Sequence, residues 1–183
     1  HTHWQVPELG EYAEKDWPEE RFKVQAAMVS RMDRDIGRIK RLLEELGIEE
    51  DTLLIFNSDN GAHGQGGTRE FFDTTGGLKG KKRLMTEGGV RSPMLAYWPG
   101  KVPAGTHSEH ISAFWDFLPT MAELAGEPIN GRTDGLSMLP TLIGEYKQQK
   151  EHRYLYWELY EGRPNCGVRM GKWKGLVQDR RKG

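Results

Sequence analysis

Thr52-Leu53-Leu54-Ile55-Phe56-Asn57-Ser58-Asp59-Asn60-Gly61 is the stretch on which the reading of this chain turns. Its first half is apolar on both faces and carries β-branched and aromatic members. Its second half is polar and ends in glycine. A short run without polar alternation suits a strand covered on both sides, the pattern of a parallel sheet. An abrupt polar end places side chains with chemistry at the carboxyl edge of that sheet, where open α/β folds hold their ligands.

The sequence upstream supplies a crossover helix. Val29, Met32, Ile36, Ile39, Leu43 and Leu46 recur at intervals of three and four, with Arg31, Arg34, Arg38, Lys40 and Arg41 off the stripe. That spacing predicts an amphipathic helix from about Glu19 to Leu46. Asp16, Pro18 and Glu19 offer a start signal and Gly47 a stop. Downstream, Pro93 to Trp98 reads as the next strand. Ile111 to Ala125 reads as a helix burying Phe114, Phe117, Leu118, Met121, Leu124 and Ala125, with a kink or a break predicted at Pro119. After a connector from Gly131 to Gly144, Arg153–Tyr160, Gly167–Met170 and Trp173–Val177 read as three short strands. Turns at Gly162-Arg163-Pro164-Asn165 and Gly171-Lys172 would join them into an antiparallel meander. Asp179 to Gly183 has no apolar partner and reads as a frayed end. The expected fold class is therefore an α/β body followed by a small antiparallel sheet.

Composition removes several function classes. With 26 Lys and Arg against 27 Asp and Glu, the 183 residues carry a formal charge of −1. No net field would hold a nucleic acid. No apolar run approaches the roughly 18 to 20 residues of a membrane-spanning helix. Cys166 is the only cysteine and cannot close an internal disulfide, so it reads as a packed thiol. The chain opens at His1 without a signal-like apolar segment, and is read as a piece of something longer. Glycine is the outlier, at 23 residues where an average share of about 7% would give about 13. Much of the excess lies between Gly61 and Gly89, which implies backbone that approaches something closely or takes positive φ.

Two features there can do chemistry. Asp59-Asn60 places a carboxylate beside a carboxamide, a pair of hard oxygen donors suited to Ca²⁺ or Mg²⁺. Asp-Asn-Gly is equally a common turn former, and the tripeptide leaves both readings open. Lys79, Lys81, Lys82 and Arg83 lie among the glycines, where cations and flexible amides can form an anion site or simply a solvated basic loop. His107 and His110 lack the further ligands of a zinc site.

Read together, these segments resemble the type I sulfatases, the arylsulfatase family. The resemblance is carried by Ala26 to Arg38, by Asp51 to Gly61, by Lys82 followed by Glu87-Gly88-Gly89-Val90-Arg91-Ser92-Pro93, and by Trp98-Pro99-Gly100. It continues through Asp116-Phe117-Leu118-Pro119-Thr120, Asp134-Gly135-Leu136-Ser137 and Val168 to Lys174, and so covers nearly the whole chain.

The resemblance implies an alkaline-phosphatase-like α/β fold, present in part. Residues 1–130 would be the C-terminal part of the catalytic domain, and 131–183 the start of a small C-terminal antiparallel-sheet subdomain, cut short. It implies sulfate-ester hydrolysis with one divalent metal, usually Ca²⁺, and a formylglycine nucleophile made from Cys or Ser. Asp59 and Asn60 match metal ligands, Lys82 matches the sulfate-binding lysine, and His1 matches a histidine that contacts sulfate and can protonate the leaving group. His63 and Arg83 would contact substrate, a sulfated glycan or an aryl sulfate. Family members are periplasmic, secreted or lysosomal.

The family's Cys/Ser-x-Pro/Ala-x-Arg nucleophile segment and first Asp-Asp pair are absent from these residues, and Thr86 stands where an aromatic residue often precedes Glu-Gly-Gly. The chain is therefore expected to be inactive without the N-terminal half. Two alternatives remain: a phosphate or phosphonate hydrolase of the same superfamily, and a non-catalytic module binding Ca²⁺ or a sulfated glycan.

Overall fold

A computed structural model describes residues 3–63, 65–161 and 165–178 of the chain. Expectations placed on His1, on the turn from Gly162 to Pro164 and on the tail from Asp179 lie outside the described residues. The chain divides into two compact units, His1–Thr52 with Asn57–Pro93 and Leu53–Phe56 with Met94–Gly183.

In the first unit the long helix α1 runs Glu20–Glu45. Glu19 is its extended N-cap and makes no side-chain cap bond, so the start signal around Asp16 marks the place without closing a capping box. Gly47 ends the helix at φ 66°, a left-handed conformation that glycine adopts without strain. The short helices α2 (Thr68–Phe72) and α3 (Glu87–Val90) follow, neither of which the periodicity announced. An aromatic cluster forms the packing centre: Phe22 of α1 stacks on Phe71 of α2 at 4.2 Å, and Trp17 meets both Phe71 and Phe72 edge-on.

α1 buries Phe22 and Ala27, while much of its sequence-predicted stripe faces outward: Val29, Met32, Ile39 and Leu46 are each 45–60% exposed, and Ile36 and Leu43 are half-buried. The helix forms as expected, but much of its apolar face has no cover among the described residues.

The second unit holds β1 (Leu54–Asn57, its last residue shared with the first unit) and β2 (Met94–Tyr97) as a two-stranded sheet. Neither strand is buried, and Leu95 is 66% exposed. Phe114–Asp116 form a 3-10 turn that passes directly into α4 (Phe117–Ala125). Pro119 thus falls in the first turn of α4, where its missing N–H breaks no helical bond, and the predicted break lies before the proline. The face of α4 also differs from expectation: Pro119 and Thr120 are buried, while Phe114, Leu118 and Met121 are exposed. Gly126 at φ 70° closes the helix.

The Gly131–Gly144 connector contains one further helical turn, α5 (Leu139–Leu142). The meander is present as β3 (Leu155–Leu159), β4 (Asn165–Met170) and β5 (Trp173–Gln178), paired antiparallel in chain order. Leu155 pairs with Arg169, and Met170 with Trp173 across the Gly171 turn.

A buried polar hub ties this unit together. The Asp116 carboxylate, fully buried, accepts the backbone N–H of Ala113 (2.7 Å) and of Leu136 (2.8 Å) and lies 2.8 and 3.0 Å from Nε2 of His152. The Thr120 hydroxyl donates to the Asp116 carbonyl and accepts the N–H of Met138. Met138, Leu142 and Leu155 form the apolar core beside it.

Candidate functional site

All the described candidate residues, Asp59, Asn60, His63, Lys82 and Arg83, fall in the first unit, on two segments held against each other by backbone. The Gly61 N–H donates to the Gly89 carbonyl (2.9 Å) and the Lys82 N–H to the Ala62 carbonyl (3.0 Å). These bonds set the Asp59-Asn60 turn beside the loop that carries Lys82.

The contact is possible only because the meeting residues lack side chains. A Cβ on Gly61 would lie 1.9 Å from the Gly88 carbonyl oxygen, and one on Gly89 2.0 Å from that of Leu84. The glycine excess therefore has a use: the backbone closely approached by this loop is the chain's own. Several of the amides that the sequence offered to an anion are likewise taken. Leu84 donates to Lys81, Gly88 to Lys79 and Gly89 to Thr86, all 2.9–3.0 Å.

Asp59 is exposed and Asn60 half-buried, with the Ser58 hydroxyl donating to the Asn60 carbonyl at 3.1 Å. The turn former and the donor pair are thus the same structure. The Asn60 carboxamide oxygen is buried with no hydrogen-bond partner among the described residues. Such an oxygen is costly to leave unmatched, and a cation beside the Asp59 carboxylate would satisfy it, so the donor pair fits a divalent metal. It does not complete one: among the described residues no group of three or more His, Cys, Asp or Glu could hold a metal ion.

Lys82 is half-buried and makes no ion pair among the described residues, which leaves its ammonium available to an anion. Arg83 is exposed and takes a left-handed φ of 75°, rare for a residue with a side chain, directly after that lysine. His63 is exposed. His1 lies outside the described residues. Cys166, half-buried in β4 opposite Glu158 and Val177, stands in the other unit.

Two residues of this neighbourhood have surroundings that the sequence did not show. Thr86 is buried and its hydroxyl finds no partner among the described residues. Arg69 donates to the Gly80 carbonyl at 3.1 Å from eleven residues away, and no local periodicity marks such a pair.

The fold and site place the chain in a class: part of an alkaline-phosphatase-like α/β fold, the fold of the solved structures most like it. One of these is Ps i-CgsB, 33% identical with a TM-score of 0.74, over 87% of this chain and 35% of that one. Another is BT4656 in complex with its substrate D-Glucosamine-2-N, 6-O-disulfate, 26% identical with a TM-score of 0.68, over 84% of this chain and 31% of that one. The family model Sulfatase matches residues 1–127, and the model N-sulphoglucosamine sulphohydrolase, C-terminal matches residues 77–180. The chain belongs to the sulfatase family.

Among curated relatives it is 36% identical to N-acetylgalactosamine-6-sulfatase of Canis lupus familiaris, over 80% of this chain and 27% of that protein. It is 37% identical to Arylsulfatase A of Homo sapiens, over 78% of this chain and 28% of that protein. The chain thus spans between a quarter and a third of the length of these relatives. No described helix is long and apolar enough to cross a membrane.

Proposed function

We propose that this chain is the C-terminal half of a sulfatase catalytic domain up to about residue 130, followed by the start of its small antiparallel-sheet subdomain from 131. The whole protein then hydrolyses sulfate esters. The observation that carries this reading is the orphaned Asn60 oxygen beside Asp59, pinned by backbone to the loop bearing the unpaired Lys82.

Asp59 and Asn60 would hold one Ca²⁺, with the remaining ligands coming from outside the chain. When bound, the metal supplies positive charge that polarises the sulfate oxygens. The nucleophile is a formylglycine, also from outside the chain. Lys82 binds the sulfate group and neutralises charge that grows as the S–O bond breaks, favouring the transition state over the ground state. His1 delivers a proton to the leaving oxygen. His63 and Arg83 contact the substrate, a sulfated carbohydrate by analogy with the disulfated glucosamine bound by BT4656.

Turnover of 4-nitrophenyl sulfate by the full-length protein tests this. Lys82→Ala is expected to lower kcat at least about 100-fold, the usual effect of losing one charge-stabilising group. The 183 residues contain no Cys or Ser followed by x-Pro/Ala-x-Arg, and by themselves are expected to release no 4-nitrophenol.

The non-catalytic alternative is separated by calorimetry on the same chain. With two ligands, its Ca²⁺ affinity should be no tighter than about 0.1 mM. Micromolar binding would favour a Ca²⁺ module over the half-domain.

A further inference from the structure

We propose that Arg69, oriented by Glu70, is a positioning residue for Lys82, a reading that rests on the sulfate-binding role given to Lys82 above. The Lys82 loop is fixed to the segment carrying Asp59 and Asn60 by two backbone bonds, the Lys82 N–H on the Ala62 carbonyl and the Gly61 N–H on the Gly89 carbonyl. Neither bond reaches the residues that lead into Lys82.

A third point is Arg69 of α2. Its Nη1 donates to the carbonyl of Gly80, two residues before Lys82. Ala62 and Arg69 come from the stretch of chain that follows the oxygen pair, so the loop is held at Gly80 as well as at Lys82 and Gly89.

The guanidinium is itself held. Its Nε and Nη2 both donate to Oε1 of Glu70, at 2.9 and 2.5 Å. Two donors on one carboxylate fix the plane of the fork, and Nη1 is left to the carbonyl. The Arg69 bond holds the Glu70 carboxyl below its ordinary pKa, with a smaller contribution from the charge of Lys81 on the same loop.

The receiving end depends on glycine. Gly80 has φ 92°, and a Cβ there would lie 1.8 Å from the Thr86 hydroxyl oxygen, so a side chain at the residue that presents this carbonyl would disturb the loop. The other backbone bonds of the loop join Lys79 to Gly88, Lys81 to Leu84 and Thr86 to Gly89, and do not reach α2.

The test uses the full-length protein and three variants. Arg69→Gln is expected to lower kcat/KM for 4-nitrophenyl sulfate about tenfold, mainly in kcat, because a displaced lysine still meets the bound sulfate but matches the transition state less well. Arg69→Lys, which keeps a cation but not the fork, should fall between. Arg38→Gln, which removes an exposed pair with Asp35 on α1, should leave the rate unchanged.

Assays well below each variant's Tm separate positioning from stability. Amide hydrogen exchange over residues 79–84 should quicken in Arg69→Gln while that of α1 does not. A rate for Arg69→Gln within twofold of the unsubstituted protein, or unaltered exchange in the loop, overturns the proposal. If the unsubstituted protein cleaves no sulfate ester, the reading of Lys82 falls, and the exchange result alone decides whether Arg69 holds the loop.

Discussion

Single residues in the Lys82 loop are constrained in opposite ways. Thr86 buries a hydroxyl without a partner among the described residues, a penalty of about 1–3 kcal/mol. Thr86→Val should therefore stabilise the chain, and an unchanged or lower Tm in thermal denaturation would contradict this account. Gly61 tolerates nothing larger than hydrogen, because its Cβ would overlap a backbone carbonyl and not a movable side chain. Gly61→Ala should cost more than the about 1–3 kcal/mol of ordinary overpacking, measured by urea denaturation.

The Asp-Asn-Gly tripeptide was legible as a turn or as a ligand pair. Tertiary contact makes it both, since the turn stands on Ser58 while the Asn60 oxygen stays free. That the Leu84, Gly88 and Gly89 amides are bonded within the loop was not legible at all, because their partners are chosen by the way the loop closes on itself.

Elements formed nearly where their periodicity placed them, and their faces did not. α1 has nearly the expected length and α4 is shorter, Phe117–Ala125 against the expected Ile111–Ala125, and much of the apolar stripe of each points outward. Periodicity reports which side of a helix is apolar, and not whether a partner is present. Ile39, 48% exposed, makes a direct test: Ile39→Glu in the 183-residue chain should change stability by no more than about 0.5 kcal/mol. In the full-length protein the same change should be severely destabilising if the remainder of the domain covers α1.

The elements of the second unit meet at Asp116, and that hub was invisible in sequence, where Asp116 reads as one acidic residue ahead of a helix. Asp116→Ala would strand two backbone N–H groups and His152, and should cost about 3–5 kcal/mol on denaturation. His110 nearby adds a pH dependence. Burial lowers its pKa from the ordinary 6.5, against the opposing charges of Asp116 and Glu151. The unfolded chain then binds more protons than the folded one below 6.5, so stability should fall as the pH drops through that range. His110→Gln should flatten the slope of Tm against pH.

For the whole molecule, the 183 residues by themselves determined the strands, the two longer helices, the antiparallel tail and membership of the sulfatase family. These rest on local spacing and on ordered short motifs, which any contiguous stretch displays. The tertiary structure decided which residues the site can use: that the Asn60 oxygen has no partner among the described residues, that several loop amides are already bonded, that Arg69 reaches Gly80, and that Asp116 meets His152. Each of these depends on groups far apart in the chain being brought within hydrogen-bonding distance. No local pattern encodes such a meeting, because it is settled by how loops close and where backbones can approach once their side chains are gone.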